Sequence, residues 1–408
     1  MDAPSPFSVG LPGTSRDIRP PVVLLGLLTA LDAMAIDSYL PALPSIARDM
    51  GVDVVSAQVT LAVFLIGLAA GQLLWGPVSD RIGRRGPMIA GLVVYCAGSL
   101  GGALAPSIDL LIAARLLQAI GASAGLVLAR AIVADLWTAR EAARLYSIMM
   151  QTLGVTALVS PLLGGALLVV SGWRAIFLFL LVAGILTGGW SVAGIRESHP
   201  PHRRAMPGSV LAGYARLWRL RSFMLATGAA AAGIATMFAT LAGSSFLFID
   251  RFGWTSIEYS CLYAASSVAF VAVCQINTVL IGRIGDAKML KIAVALQLGL
   301  ALVMLALALG GNADAWSLAL LWTLLMGNLG ILLGNAVSVA MRLAPAECAG
   351  TASAMIGVAQ FGAGALVSPL AGALNDLALS FAATTAGCAA LAWLMTHLAL
   401  RKAAVTAA

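Results

Sequence analysis

Charge is scarce in this 408-residue chain: 10% of its residues are Asp, Glu, Lys or Arg and 61% are hydrophobic, where a water-soluble domain carries about 25% charged residues. A soluble fold of this size could not cover its surface with so few charges, so its solvent is the lipid bilayer. Lysine is rarer still, only Lys288, Lys291 and Lys402 beside 21 arginines. With abundant alanine, this points to a GC-rich bacterial gene and the bacterial cytoplasmic (inner) membrane. The five cysteines lie in or beside apolar segments without C-x-x-C spacing, and the three histidines form no ligand pair, which argues against disulfides, structural zinc and haem. No metal or cofactor is expected. The absence of a G-x-x-x-x-G-K-[ST] loop leaves no nucleotide site, and without a nucleophile motif or paired catalytic carboxylates the chain does not read as an enzyme. Residues 1–21 lack the basic, apolar and small-residue regions of a signal peptide, so the first apolar segment reads as a retained helix.

What is present is a succession of apolar segments, each of about 20 residues or more, long enough to cross a roughly 30 Å hydrocarbon layer. Breaks at charged, proline and glycine clusters place them at 22–44, 57–78, 87–105, 109–135, 144–169, 174–195, 222–249, 257–281, 289–310, 315–340, 349–374 and 378–399. Segments so long and continuous are helices, not barrel strands of about 10 alternating residues. Nineteen basic residues fall in one alternating set of loops and the tails, against Arg48, Arg174 and Arg251 in the other. The positive-inside rule then places both termini in the cytoplasm. This accounts for the net charge of +7 without nucleic acid. In the longest loop, Tyr214-Ala-Arg-Leu-Trp-Arg-Leu-Arg221 reads either as an interfacial helix or as a positively charged linker.

The two halves echo each other. Val159-Ser-Pro-Leu-x-Gly164 returns 208 residues later as Val367-Ser-Pro-Leu-x-Gly372, and Arg81-Ile-Gly83 returns 202 residues later as Arg283-Ile-Gly285. The expected domains are a tail 1–21, a six-helix bundle 22–195, a central loop 196–221, a second bundle 222–399 and a tail 400–408. The fold class is an all-α membrane protein with twelve transmembrane helices in two pseudo-symmetric six-helix bundles.

Between the second and third spans stands Gly76-Pro-Val-Ser-Asp80-Arg81-Ile-Gly83-Arg84-Arg85. Gly76 and Gly83 permit close helix approach and a tight turn, and Asp80 can receive arginine forks. The segment resembles the cytoplasmic signature loop of the major facilitator superfamily. The resemblance implies that fold and a loop that locks one half against the other in one transport state, with Asp135 at the end of the fourth span. Arg115-Leu-Leu-Gln118 in the fourth span is similar to the family's intramembrane arginine motif. Gly154, Ser160, Pro161, Gly164 and Gly165 in the fifth resemble its exporter signature, in which small residues and a proline let helices cross closely and bend. Asp37-Ser-Tyr39-Leu-Pro41 resembles the bicyclomycin/chloramphenicol-resistance (Bcr/CflA) group of drug:proton antiporters, florfenicol exporters included. One departure is the C-terminal loop Gly282-Arg-Ile-Gly285-Asp-Ala-Lys288, a degenerate copy to which the locking role is not extended.

Each ionisable group at membrane depth costs at least ~2.5–3.5 kcal/mol on insertion scales and so marks function. At about 1.5 Å rise per residue, Asp32 lies roughly 15 Å and Asp37 roughly 22 Å into the first span, and Arg115 roughly 9 Å below the far surface. Asp37 and Arg115 share a level, which suggests a pair, and Pro41 frees the Asp37 carbonyl from its helix bond. Asp32 and Asp37 lie about 140° apart around a helix, so one should exchange protons and the other pack or pair; Asp37 is preferred. Static pairing of both carboxylates is the structural alternative. A low-dielectric site favours the neutral carboxyl and a nearby arginine the carboxylate, the chemistry a proton antiporter needs. The substrate cavity is expected to draw on Tyr39, Gln118, Asn328, Asn335 and Gln360. The function expected is proton-driven export of small hydrophobic, drug-like compounds by a monomer in the bilayer; the alternative is a facilitator-type carrier of a small metabolite.

Overall fold

The computed structural model describes residues 19–199, 210–345 and 349–407. Fourteen α-helices follow one another: α1 (Val22–Asp37), α2 (Leu43–Met50), α3 (Val54–Ile82), α4 (Arg85–Leu104), α5 (Ile108–Leu136), α6 (Ala139–Ser171), α7 (Arg174–Gly194), α8 (Val210–Arg219), α9 (Arg221–Ser245), α10 (Ser256–Ile284), α11 (Asp286–Leu309), α12 (Ala315–Leu343), α13 (Ala349–Val367) and α14 (Leu377–Ala407). No strand occurs among the described residues. With α1 and α2 counted together and α8 apart, twelve spans among the described residues are long and apolar enough to cross a membrane.

Helix ends fall where the chain supplies caps. Orphan N–H groups at a helix start need acceptors, and Asp53, Ser107 and Asp314 provide them for α3, α5 and α12. Thr138 and Glu141 form a capping box that starts α6 at Ala139, five residues before the expected fifth span. The Thr138 amide and hydroxyl hold Glu141 below the usual carboxylate range. At the other ends, Gly83, Gly172 and Gly285 take positive φ, which only glycine adopts without strain.

Among the described residues, two spans give up their α-helix for a 3-10 segment. The first was expected over 22–44 but breaks after Asp37, turns through a 3-10 segment Leu40–Ala42 and resumes as α2 to Met50. The eleventh ends at Val367 and closes with the 3-10 turn Ser368–Gly372, where Pro369 stands. The repeated Ser-Pro sequence therefore behaves differently in the two halves, because Pro161 stays inside the continuous α6.

Within the first six spans, glycines let α5 press against its neighbours. A Cβ on Gly98 would strike the Gln118 backbone, one on Gly121 the Tyr95 backbone and one on Gly125 the Leu28 carbonyl. The amphipathic α8 buries Leu217 beside Phe223 and Ala226 of α9 while Trp218 stays 69% exposed. The two halves meet along α3 with α13 and α6 with α10, a pseudo-symmetric pair of contacts.

Most of the named contacts across that seam lie between the middle of the spans and the end that carries Arg48. Arg48 pairs with Asp250 at 2.5 Å, Gln58 donates to the Ala242 carbonyl at 3.1 Å, and Ser267 donates to the Ala157 carbonyl at 3.2 Å. The furthest toward the opposite, basic end are Gly357 beside Gln72 and Gly154 beside Val271.

Candidate functional site

The interruption of the first span places its acid. Proline at 41 has no N–H to donate and clashes with the carbonyl four residues before it. The α1 ladder accordingly stops at Asp37, with Ser38 N–H still on the Met34 carbonyl at 3.2 Å and Tyr39 N–H on Ile36 at 3.2 Å. At this break the Asp37 carboxylate accepts a 2.8 Å hydrogen bond from the Tyr263 hydroxyl of α10, in the other half of the molecule. Both side chains are buried. Tyr263 is held by an aromatic group, its ring 6.0 Å from Trp322 and 6.5 Å from Tyr259, whose hydroxyl meets Ser244 at 2.9 Å.

The glycine-rich segment of α6 builds this meeting point. A Cβ on Gly164 would fall on the Ser38 carbonyl oxygen just after Asp37, and one on Gly165 on the Ser260 hydroxyl, three residues before Tyr263. Adjacent glycines thus seat α6 against both helices that supply the bonded pair. Ser160 is buried, and Gly154 has ordinary room, its nearest neighbour being a Val271 methyl at 3.6 Å.

Arg115 does not pair with Asp37. Its Nη1 donates to the Ala35 carbonyl at 3.0 Å and to Gln118 Oε1 at 2.7 Å. The guanidinium carbon lies 4.0 Å from the Phe64 ring centre and 4.3 Å from that of Tyr39, an arrangement that stabilises a buried cation through the ring quadrupoles. The shared level is real: Arg115 meets the first span at Ala35 and Tyr39, two residues either side of Asp37. Two residues are roughly 200° of helix rotation, so Asp37 points the other way. Asp32 is also buried; its carboxylate accepts the Ala33 N–H at 2.8 Å and lies within the field of Arg130.

Three of the five residues expected in the cavity are framework instead. Gln118 supports Arg115 and donates to Ser99 at 2.9 Å, Asn328 donates to the Ala293 carbonyl and Gln297, and Asn335 donates to Asn277 and the Ile331 carbonyl. Tyr39 is fully buried, bonded to Thr60 at 2.7 Å. Gln360 is the one of the five that stays partly exposed.

The signature loop forms a network anchored in its own half. Arg84 reaches Asp80 at 2.5 Å, Ser79 at 2.7 Å and Asp135 at 3.0 Å. Burial opposes its charge, yet Asp135 and Asp80 together outweigh this and hold Arg84 above its ordinary value. Glu197, unremarked in the sequence, accepts the backbone N–H groups of Arg84 at 2.8 Å and Arg85 at 3.3 Å. It thereby caps the start of α4, where a negative charge is favoured. Arg85 donates to the Val192 carbonyl and Ser198 to Asp135, while Arg81 is exposed. Gly83 serves the turn, with φ 102° and a Cβ position occupied by Glu197. Gly76 does not bring helices together, since nothing lies within 4 Å of a Cβ there.

The degenerate copy keeps an anchor of its own. Gly285 turns at φ 84°, and Asp286 accepts Arg342 at 2.8 Å and Ser338 at 2.7 Å. The polarity is exchanged: the helix-end partner is acidic Asp135 in one half and basic Arg342 in the other.

Twelve spans in two packed halves, with a buried carboxylate bonded across the seam, are the architecture of a secondary transporter. The chain belongs to the Major Facilitator Superfamily, whose sequence model matches residues 25–369. It is 34% identical over 361 residues to the uncharacterized MFS-type transporter YdgK of Bacillus subtilis, covering 86% of this chain and 87% of the relative. It is 27% identical to the bicyclomycin resistance protein homolog of Haemophilus influenzae over 90% and 92% of the two chains, in line with the group resemblance read from the motifs. Among solved structures, the POT family transporter PepTSo superimposes with a TM-score of 0.75 at 12% identity, covering 94% of this chain and 97% of that one, which concerns the fold alone.

Proposed function

We propose that this protein exports small hydrophobic, drug-like compounds from the bacterial cytoplasm through the inner membrane in exchange for protons, by alternating access, as a single-chain carrier. The observation that carries this reading is Asp37, a buried acid at the seam whose only side-chain partner among the described residues belongs to the other half. A protonatable group there links ion occupancy to the fit of the two halves. The bicyclomycin resistance homolog among the relatives supports the substrate class. The division into tails 1–21 and 400–408, bundles 22–195 and 222–399 and a loop 196–221 supplies the two rocking units.

The excess of arginine at one end favours a cytoplasmic location for that end and both termini. The seam contacts at the Arg48 end then describe the state closed to the outside. Asp37 takes the role of exchangeable carboxylate, and Asp32 that of a packing partner on the same span. Arg115 braces the interrupted first span through the Ala35 carbonyl and the Tyr39 ring. The signature loop and its copy set the resting geometry of each half. One proton entering down ~100 mV supplies ~2.3 kcal/mol, and every ~1.4 kcal/mol sustains a tenfold concentration ratio. The test is drug uptake into inverted vesicles energised by a pH gradient. Asp37→Asn is expected to abolish it and Asp32→Asn to slow it; proton-driven transport unchanged in Asp37→Asn, or insensitive to collapse of the gradient, refutes the reading.

A further inference from the structure

We infer that Tyr263 is the latch that keeps the empty, deprotonated carrier from reorienting. This rests on the proton-antiport reading above and adds the rule by which the exchange is kept tight. The Asp37–Tyr263 bond joins the halves at 2.8 Å, in a buried position. A hydrogen bond to a carboxylate is roughly twice as strong as one between neutral groups, so it holds the seam while Asp37 is ionised and weakens when Asp37 takes a proton.

The other seam contacts do not respond in this way. Gln58 with the Ala242 carbonyl and Ser267 with the Ala157 carbonyl are neutral pairs. Arg48–Asp250 is a surface pair, its side chains 62% and 29% exposed, and such pairs contribute little. Of the titratable groups around Asp37, Asp32 lies on its own span, and α10 presents Tyr263 with Tyr259 behind it. From α6 the close neighbour is Gly164, and Arg115 of α5 lies on the far side of α1.

Two events then release the seam: protonation of Asp37, or a bound compound that takes Tyr263's place at the carboxylate or parts the two groups. Without either, the carrier stays closed at the Arg48 end. Removing the latch opens a forbidden path. The empty, ionised carrier crosses, takes a proton outside and returns it inside, so that protons leak without export.

The experiment uses the full chain in proteoliposomes, with an internal pH dye and a drug substrate. Tyr263→Phe keeps the ring packed against Trp322 and Tyr259 and removes only the hydroxyl. Drug-independent proton entry is expected to rise about tenfold over wild type, the factor of one hydrogen bond to a charged group, while drug accumulation falls and drug binding to the detergent-solubilised protein persists. Tyr259→Phe, whose lost hydroxyl bonds Ser244 within its own half, is expected to stay tight. Wild type that couples drug to protons together with a Tyr263→Phe variant that does not leak overturns the latch and leaves antiport standing. Wild type without drug-driven proton movement overturns the antiport reading beneath it. A leak of equal size in Tyr259→Phe also overturns the latch, since it assigns the effect to loosened aromatic packing.

Discussion

Alanine substitutions along α6 should separate by what each new methyl meets. At Gly164 the added Cβ falls on the Ser38 carbonyl oxygen and lies 2.7 Å from both the Ser38 carbonyl carbon and Cα. These atoms are backbone at the point where the first span has already broken, so no side chain can swing aside. Restoring ordinary contact requires α1 and α6 to part by about 1 Å, and such overpacking costs typically ~1–3 kcal/mol. The same displacement draws Asp37 away from Tyr263. We expect Gly164→Ala to lower export in inverted vesicles about tenfold or more and to reduce the melting temperature of the purified protein. Gly165→Ala meets the Ser260 hydroxyl, the tip of a side chain, and should cost less; combining it with Ser260→Ala should recover part of the loss, the Ser256 carbonyl oxygen remaining 3.1 Å away. Gly154→Ala, with 3.6 Å to its nearest neighbour, should behave as wild type. A Gly164→Ala protein that exports and melts like Gly154→Ala refutes the packing account of this segment.

Arg115→Lys should impair export as severely as Arg115→Ala, by about tenfold or more, because an ammonium cannot replace the planar guanidinium between Phe64 and Tyr39. Arg130→Ala should be milder, and equal effects at both positions would count against the assignment. In the signature loop, Asp80→Asn and Glu197→Gln should slow export in a protein that still inserts and purifies as a monodisperse species. Gly83→Val, which adds backbone strain of about 1–3 kcal/mol to a clash with Glu197, should also lower its yield; wild-type rates in all three would remove the loop from the transport cycle. Asp286→Arg and Arg342→Asp should each lower the melting temperature by about 1–3 °C, and the double exchange should restore it if the ion pair is the anchor of the second loop.

The sequence made the spans and the repeat legible, because apolar length acts locally, whereas it read the first span as continuous over 22–44 and marked Pro41 only as freeing the Asp37 carbonyl. It also set Arg115 at the level of Asp37, where Arg115 meets Ala35 and Tyr39. It did not give the direction in which Asp37 points, since rise along a helix follows from residue number while the rotation of one helix against another is decided by packing. The polar residues of the spans misled for a related reason. In lipid, amides satisfy one another on neighbouring helices, so Gln118, Asn328 and Asn335 became internal braces. Glu197 was missed because it lies outside every motif, yet α4 begins with N–H groups that need an acceptor, and Glu197 is the acid that follows the adjacent span. Tyr263 carried a fainter signal: it and Tyr259 form an i, i+4 pair of hydroxyl-bearing rings on a span otherwise rich in small and aliphatic residues, and a buried carboxylate needs a donor.

The two neighbours of α6 differ in hardness, and this bears on how the halves rock. Gly164 rests on rigid main chain of its own half, a joint with no play. Gly165 rests first on the Ser260 hydroxyl of the opposite half, which can turn, with the Ser256 carbonyl oxygen next at 3.1 Å. Successive residues face about 100° apart on a helix, so a single helix carries a fixed flank and a sliding flank. Rotation of one half against the other would then slip at α6–α10, one of the two seams, with α1 moving together with α6.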